Sequence, residues 1–146
     1  MCPLLSNCER FAELVEKYFG FLGKYGFRRT PEYEIASGTL CKVVYLGKHV
    51  AIEVYLDIRD DYVGVDVVKV INGVPRHRWE GGFNEDLDTY LRRLGCFRKR
   101  PPRQLPSPIE TALATWAEQL LLDSEKILAD LPDSLPEASV SSCPDM

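Results

Sequence analysis

Val50-Ala51-Ile52-Glu53-Val54-Tyr55-Leu56-Asp57-Ile58 alternates apolar and polar residues without a break. Across Arg59-Asp60-Asp61 it is followed by the Val-rich run Tyr62 to Ile71. Strict alternation is the pattern of a half-buried strand, whose successive side chains point to opposite faces. A short hairpin through Arg59-Asp60-Asp61 pairs Glu53 with Asp66 and places Tyr55, Asp57 and Tyr62 on the same face. Two carboxylates directly opposite each other repel, so a cation is needed beside them.

Working outward, the stretches 27–36, 39–46, 49–58 and 62–71 are predicted strands, with Ser37-Gly38 and Gly47-Lys48 as turns. A two-residue turn at Gly47-Lys48 sets Lys42 opposite Glu53, so the cross-strand row reads Lys42, Glu53, Asp66. A lysine beside two acids offsets most of their repulsion. The other face carries Val43, Ile52, Val54, Leu56, Val63, Val65 and Val67, an apolar surface that must be covered by helices. Asn72-Gly73 is a hairpin signal and predicts a fifth, shorter strand over 74–79.

Helices bracket this sheet. Phe11, Leu14, Val15, Tyr18, Phe19 and Leu22 form an apolar stripe behind a capping-box spacing at Ser6 and Glu9, and Gly23 and Gly26 end the run. A stripe of this spacing reads as core. Asn84 is the predicted cap of a short helix through Leu87, Tyr90, Leu91 and Leu94. Glu85, Asp86 and Asp88 lie in its first turn and Gly95 stops it. A last helix opens at Ser107-Pro108 with Glu110 and runs to Leu131, before Pro132. Its length of about 36 Å exceeds a small sheet, so homodimerisation through it is an expectation.

The predicted fold is therefore α+β: an N-terminal helix, a four- to five-stranded antiparallel meander, then a short and a long helix packed on one face. One domain is expected over residues 1–132, with 133–146, short of large apolar groups, as a disordered acidic tail. The chain has 146 residues, 45% hydrophobic and 27% charged, with a net charge of −4. That balance argues against general nucleic-acid binding. Cys2, Cys8, Cys41, Cys96 and Cys143 are scattered, without a CxxC pair and far in sequence from His49 and His77, so no zinc site is expected. Reduced thiols in a cytoplasmic protein are the expectation. No secretory signal is visible, and no segment reaches the roughly 20 apolar residues of a membrane span.

Three places could carry function. Glu53, Asp57 and Asp66, with Tyr55 and Tyr62, could hold a divalent metal or act as general acid and base. No histidine is expected among them, and polar residues at alternate strand positions are ordinary, so neither a metal, a cofactor nor a catalytic residue is assigned. The second place is a proline-rich basic connector, in which Arg92, Arg93, Arg98, Lys99, Arg100 and Arg103 could meet phosphates or an acidic protein. Few aromatics accompany it, which favours protein over nucleic acid. The third is Arg76-His77-Arg78-Trp79-Glu80, whose composition suits an interface hot spot. The plainer reading, and the favoured one, has Trp79 closing the core edge while His77 and the arginines face water.

The order of elements over residues 8–131, with VAIEVYLDIRDDYVGVDVVKV over residues 50–70, resembles small bacterial proteins of toxin-immunity type. The resemblance implies tight, stoichiometric binding of a partner protein without chemistry. It also implies that acids such as Glu53, Asp57, Asp60, Asp61 and Asp66 are presented to a basic surface. The first expectation is a non-enzymatic protein-binding module, of immunity, inhibitor or accessory-regulator kind, whose partner-facing residues are Glu53, Tyr55, Asp57, Asp60, Asp61, Tyr62, Asp66, Trp79, Arg98, Lys99 and Arg100. The alternative is a small-ligand binder or minor enzyme with a pocket between the sheet and the long helix. A third is weak nucleic-acid contact through residues 92–103.

Overall fold

Phe11, Val15 and Phe19 recur at helical intervals and are all buried on one side of the first helix, α1 (Pro3–Phe19). The computed structural model describes residues 3–94 and 108–122. Helix α1 already includes Pro3, so Ser6 lies within its span and not at its start. A 3₁₀ turn over Gly20–Tyr25 carries the stripe on to buried Leu22.

The predicted first strand is broken in two. Thr30 and Pro31 turn the chain into a 3₁₀ segment, Pro31–Tyr33, because proline fixes its own φ and has no ladder donor. The flanking pieces, β1 (Arg28–Arg29) and β2 (Ile35–Ala36), both pair antiparallel with β3 (Leu40–Leu46). Strands β4 (Val50–Asp57) and β5 (Tyr62–Ile71) follow, and β6 (Val74–Arg76) returns after a turn in which Asn72 and Gly73 both take positive φ, 54° and 77°. The fifth strand is shorter than predicted, since Arg78–Glu80 leaves the sheet as a 3₁₀ turn. An unforeseen strand, β7 (Asn84–Asp86), then pairs with β5 beyond β6. The sheet runs β1-β3-β4-β5-β6, with β2 beside β3 and β7 beside β5. Five strands form its main path, as many as the longer of the expected meanders, and the short pieces β2 and β7 bring the described strands to seven.

Register matters most at β3–β4. The Gly47 N–H donates to the Val50 carbonyl at 2.8 Å, which moves the turn to Lys48-His49. Gly47 belongs to the ladder end because Phe27 packs against it: a Cβ there would stand 2.8 Å from the ring. Lys42 therefore lies opposite Tyr55, and Val44 opposite Glu53, a shift of two residues that keeps the faces unchanged. In β4–β5, Glu53 faces Asp66 as predicted.

One core joins the inner sheet face to the helices. Val43, Ile52, Val54, Leu56, Val63, Val65 and Val67, the predicted apolar face, pack with Phe11, Val15 and Phe19 of α1. Leu87, Tyr90 and Leu91 of α2 (Leu87–Leu94) and Leu113, Ala117 and Leu120 of α3 (Pro108–Leu122) complete it. Helix α2 begins after Asp86, whose Oδ2 accepts the Thr89 N–H at 3.2 Å; Asn84, the predicted cap, is in β7 instead. Helix α3 is tied to α1 where the Tyr18 hydroxyl donates to Glu110 at 2.8 Å.

Cys8 and Cys41 form a disulfide between α1 and β3, with Cα atoms 5.3 Å apart. This overturns the expectation of reduced thiols throughout. The pairing depends on α1 lying across β3, and no local spacing announces it. The described helices include none long and apolar enough to cross a membrane. The connector with Arg98, Lys99 and Arg100, the Ser107 cap, the predicted helix beyond residue 122 and the acidic tail lie outside the described residues, as does the dimer expected from that helix.

Candidate functional site

The outer face of the sheet is half apolar and half polar. At one end Val44, Ala51 and Val68 are fully buried, with Tyr33, Leu46 and Val70 packed around them. Beyond them the residues become ionisable. A cross-strand row runs Glu53, Asp66, Asp86 over β4, β5 and β7, three carboxylates side by side.

Glu53 is 3% exposed, and its two carboxyl oxygens are met from two sides. Lys42 Nζ stands 3.5 Å from Oε2, reaching diagonally from the neighbouring strand. His77 Nε2 lies 3.0 Å from Oε1. This corrects two expectations at once, because a histidine does join the acids and does not face water. Its position comes from the chain excursion after β6. The Gly82 N–H donates to the His77 carbonyl, the Phe83 N–H to Arg76 and the Lys69 N–H to Phe83, which folds residues 77–83 back over the sheet. Glu80 Oε1 accepts the His77 backbone N–H at 3.0 Å and lies 3.2 Å from Nδ1. Those hydrogen bonds, the backbone one foremost, hold the Glu80 carboxyl below its ordinary pKa.

His77 in turn carries Trp79. The two rings stack with centroids 4.5 Å apart and 10° between planes. The indole is 76% exposed, so it does not close the core edge as the plainer reading had it. Its neighbour Arg78 is fixed over the Phe83 ring and donates from Nε to the Asn84 carbonyl.

Asp66 has no such compensation. Burial first, then Glu53 and Asp86, push its pKa up to about 6, against weaker opposition from His77 and Lys42. Tyr55 and Tyr62 flank it, their centroids 6.1 Å apart and their planes tilted by 55°. Tyr55 lies across Gly64, where any Cβ would collide with its ring. Tyr62 is half exposed, and its pKa is raised by burial and then by Asp86, Asp66 and Asp88.

Of the other residues singled out in the sequence, Asp57 caps its own hairpin loop, its Oδ1 accepting the Arg59 and Asp60 N–H groups at 3.1 and 3.2 Å. Asp60 and Asp61 are exposed at the loop tip, Asp61 with a φ of 54°. Glu53, Tyr55, Tyr62 and Asp66 are brought together. His77, Glu80 and Asp86 were missed as members of this face. Their placement rests on a 3₁₀ turn and a three-residue strand too short to show a period.

Chemically, both nitrogens of His77 face carboxylates, so neither is left to activate a nucleophile. Among the described residues no group of three His, Cys, Asp or Glu side chains converges to hold a metal ion. Two clefts lie elsewhere. One, of about 300 Å³, is lined by Cys8, Ala12, Arg29, Ile35 and Lys42 among others, with Arg29 already held by Glu34 at 2.7 and 2.9 Å. The other, of about 270 Å³, is lined by Asp88, Thr115, Trp116 and Gln119. No protein-family model, curated protein or solved structure matches the chain.

Proposed function

We propose that this chain is a non-enzymatic protein-binding module, of the immunity or inhibitor type that its central hairpin resembles, and that it binds through the outer face of the sheet. The observation that carries the reading is Trp79. Its indole is 76% exposed, yet it is held in one orientation by a histidine that two glutamates grip from both sides. An exposed tryptophan fixed before binding loses little entropy when a partner covers it, the property of an interface anchor. The surrounding acids would steer a basic partner and select against acidic ones.

The test is capture of a stoichiometric partner from lysate of the native host, comparing the intact chain with Trp79→Ala. The substituted side chain lies on the surface, so the thermal midpoint should not move. Loss of one dominant partner in the variant supports the reading. A partner retained at full occupancy, or none with either protein, sinks it.

A further inference from the structure

Glu53 and Asp66 stand opposite each other, and so do Asp66 and Asp86. Directly opposed side chains on neighbouring strands have Cβ atoms roughly 4.5–5.5 Å apart, close enough for like charges to destabilise each other. The two nearby basic side chains, Lys42 and His77, both stand against Glu53. Among the described residues Asp66 and Asp86 enter no ion pair. The face thus carries two adjacent carboxylates with no basic side chain of their own, beside an exposed aromatic ring.

We infer that the outer face between Tyr62 and the Asp66–Asp86 pair receives an arginine side chain of the partner protein. Arginine fits for three reasons. Its planar fork can donate to two carboxylates at once, where an ammonium acts as a point charge. Its flat face stacks on an aromatic ring, and Tyr62, half exposed and braced by Tyr55, offers one. A divalent ion would need at least a third converging ligand, and no such group exists among the described residues. The raised pKa of Asp66 fits the same picture, since the face takes up a proton where it lacks a cation.

This inference rests on the outer face being the partner surface, and its test is separable from the one above. Hexa-arginine is titrated into the isotopically labelled full chain at low salt, reading backbone and carboxylate shifts. Shifts centred on Tyr62, Asp66 and Asp86 are expected, with hexa-lysine at least three-fold weaker. The pair Asp66→Asn with Asp86→Asn should weaken binding ten-fold or more, and Tyr62→Ala several-fold. Asp60→Asn with Asp61→Asn, which removes the same charge from the loop tip, should change it less than two-fold. Equal loss from the loop-tip variant would mean net-charge attraction alone and overturn the inference, as would equal affinity for hexa-lysine. Shifts of the same residues with protein concentration alone would assign the face to a second copy and also overturn it. If Trp79→Ala abolishes partner capture while hexa-arginine misses Tyr62, only the arginine assignment falls.

Discussion

His77 Nε2 approaches Glu53 Oε1 to 3.0 Å across 24 residues of sequence, and this contact couples the sheet face to the tryptophan above it. A buried carboxylate is tolerated only when its charge is matched and its lone pairs are occupied. Lys42 and His77 divide that task on the two oxygens of Glu53.

Breaking this arrangement should cost stability and loosen Trp79 together. His77→Ala removes one of the two groups facing Glu53 and the ring under the indole, and a loss of about 1–3 kcal/mol is expected. Glu53→Gln should cost about as much, because Lys42 then remains largely buried without its counter-charge. In a double-mutant cycle the two losses should fall short of additivity by about 1 kcal/mol or more. Urea unfolding measures the energies, and the fluorescence anisotropy of Trp79, with Trp116 replaced by Phe, reports its mobility. Fully additive losses would mean that the two side chains do not act as a pair.

Asp66 should respond to pH in the opposite sense from a salt-bridged acid. Its pKa is raised from an ordinary 3.8 to about 6 in the folded chain, so the native state holds this proton more tightly than the unfolded state does. Below pH 3.8 both states are protonated and the charge carries no penalty. Between 3.8 and about 6 the unfolded state releases its proton first, and the group's contribution to stability falls as pH rises. Above about 6 the penalty is complete. Asp66→Asn escapes it, and should gain about 1–2 kcal/mol at pH 7, discounted for partial exposure, with no gain near pH 3.5. Denaturation of both proteins across this range gives the difference curve; a variant less stable at pH 7 would contradict the assignment.

Gly64→Ala places a methyl group where the Tyr55 ring now lies. Tyr55 must then swing away and uncover the strand, at a cost of about 1–3 kcal/mol. Since Tyr55 also braces Tyr62, the substitution should weaken hexa-arginine binding in proportion to the displaced ring. Unfolding midpoints and the same titration check both effects.

Much of this geometry was legible in the chain, and what was hidden is instructive. The alternation from Val50 to Ile58 set the faces of β4. The loop before Tyr62 was short enough to set Glu53 opposite Asp66. Face assignment survives a register error of two residues, which is why Lys42 still reaches Glu53 although it lies opposite Tyr55. His77 was not legible because its approach depends on residues 77–83 folding back and on Asn84–Asp86 pairing with β5. Pairing of so short a strand is decided by tertiary contacts, with no periodicity to betray it. Trp79 was misjudged for a related reason: a large aromatic is core by default, and only the ring of His77 beneath it explains its exposure.

The disulfide offers a last check on how α1 is held to the sheet. Cys8 and Cys41 are separated by 33 residues and join the start of the buried α1 stripe to β3. Cross-linking a loop of that size removes freedom from the unfolded chain, with an expected contribution of about 3–4 kcal/mol. Cys8→Ser and Cys41→Ser should each forfeit about that amount, and the double variant hardly more, because either change alone removes the bond. A reductant should lower the unfolding midpoint of the intact chain toward that of the variants and leave theirs in place. Denaturant melts with and without reductant measure this. Variants as stable as the oxidised parent would show that packing of Phe11, Val15 and Phe19 alone fixes α1, and that the bond adds nothing.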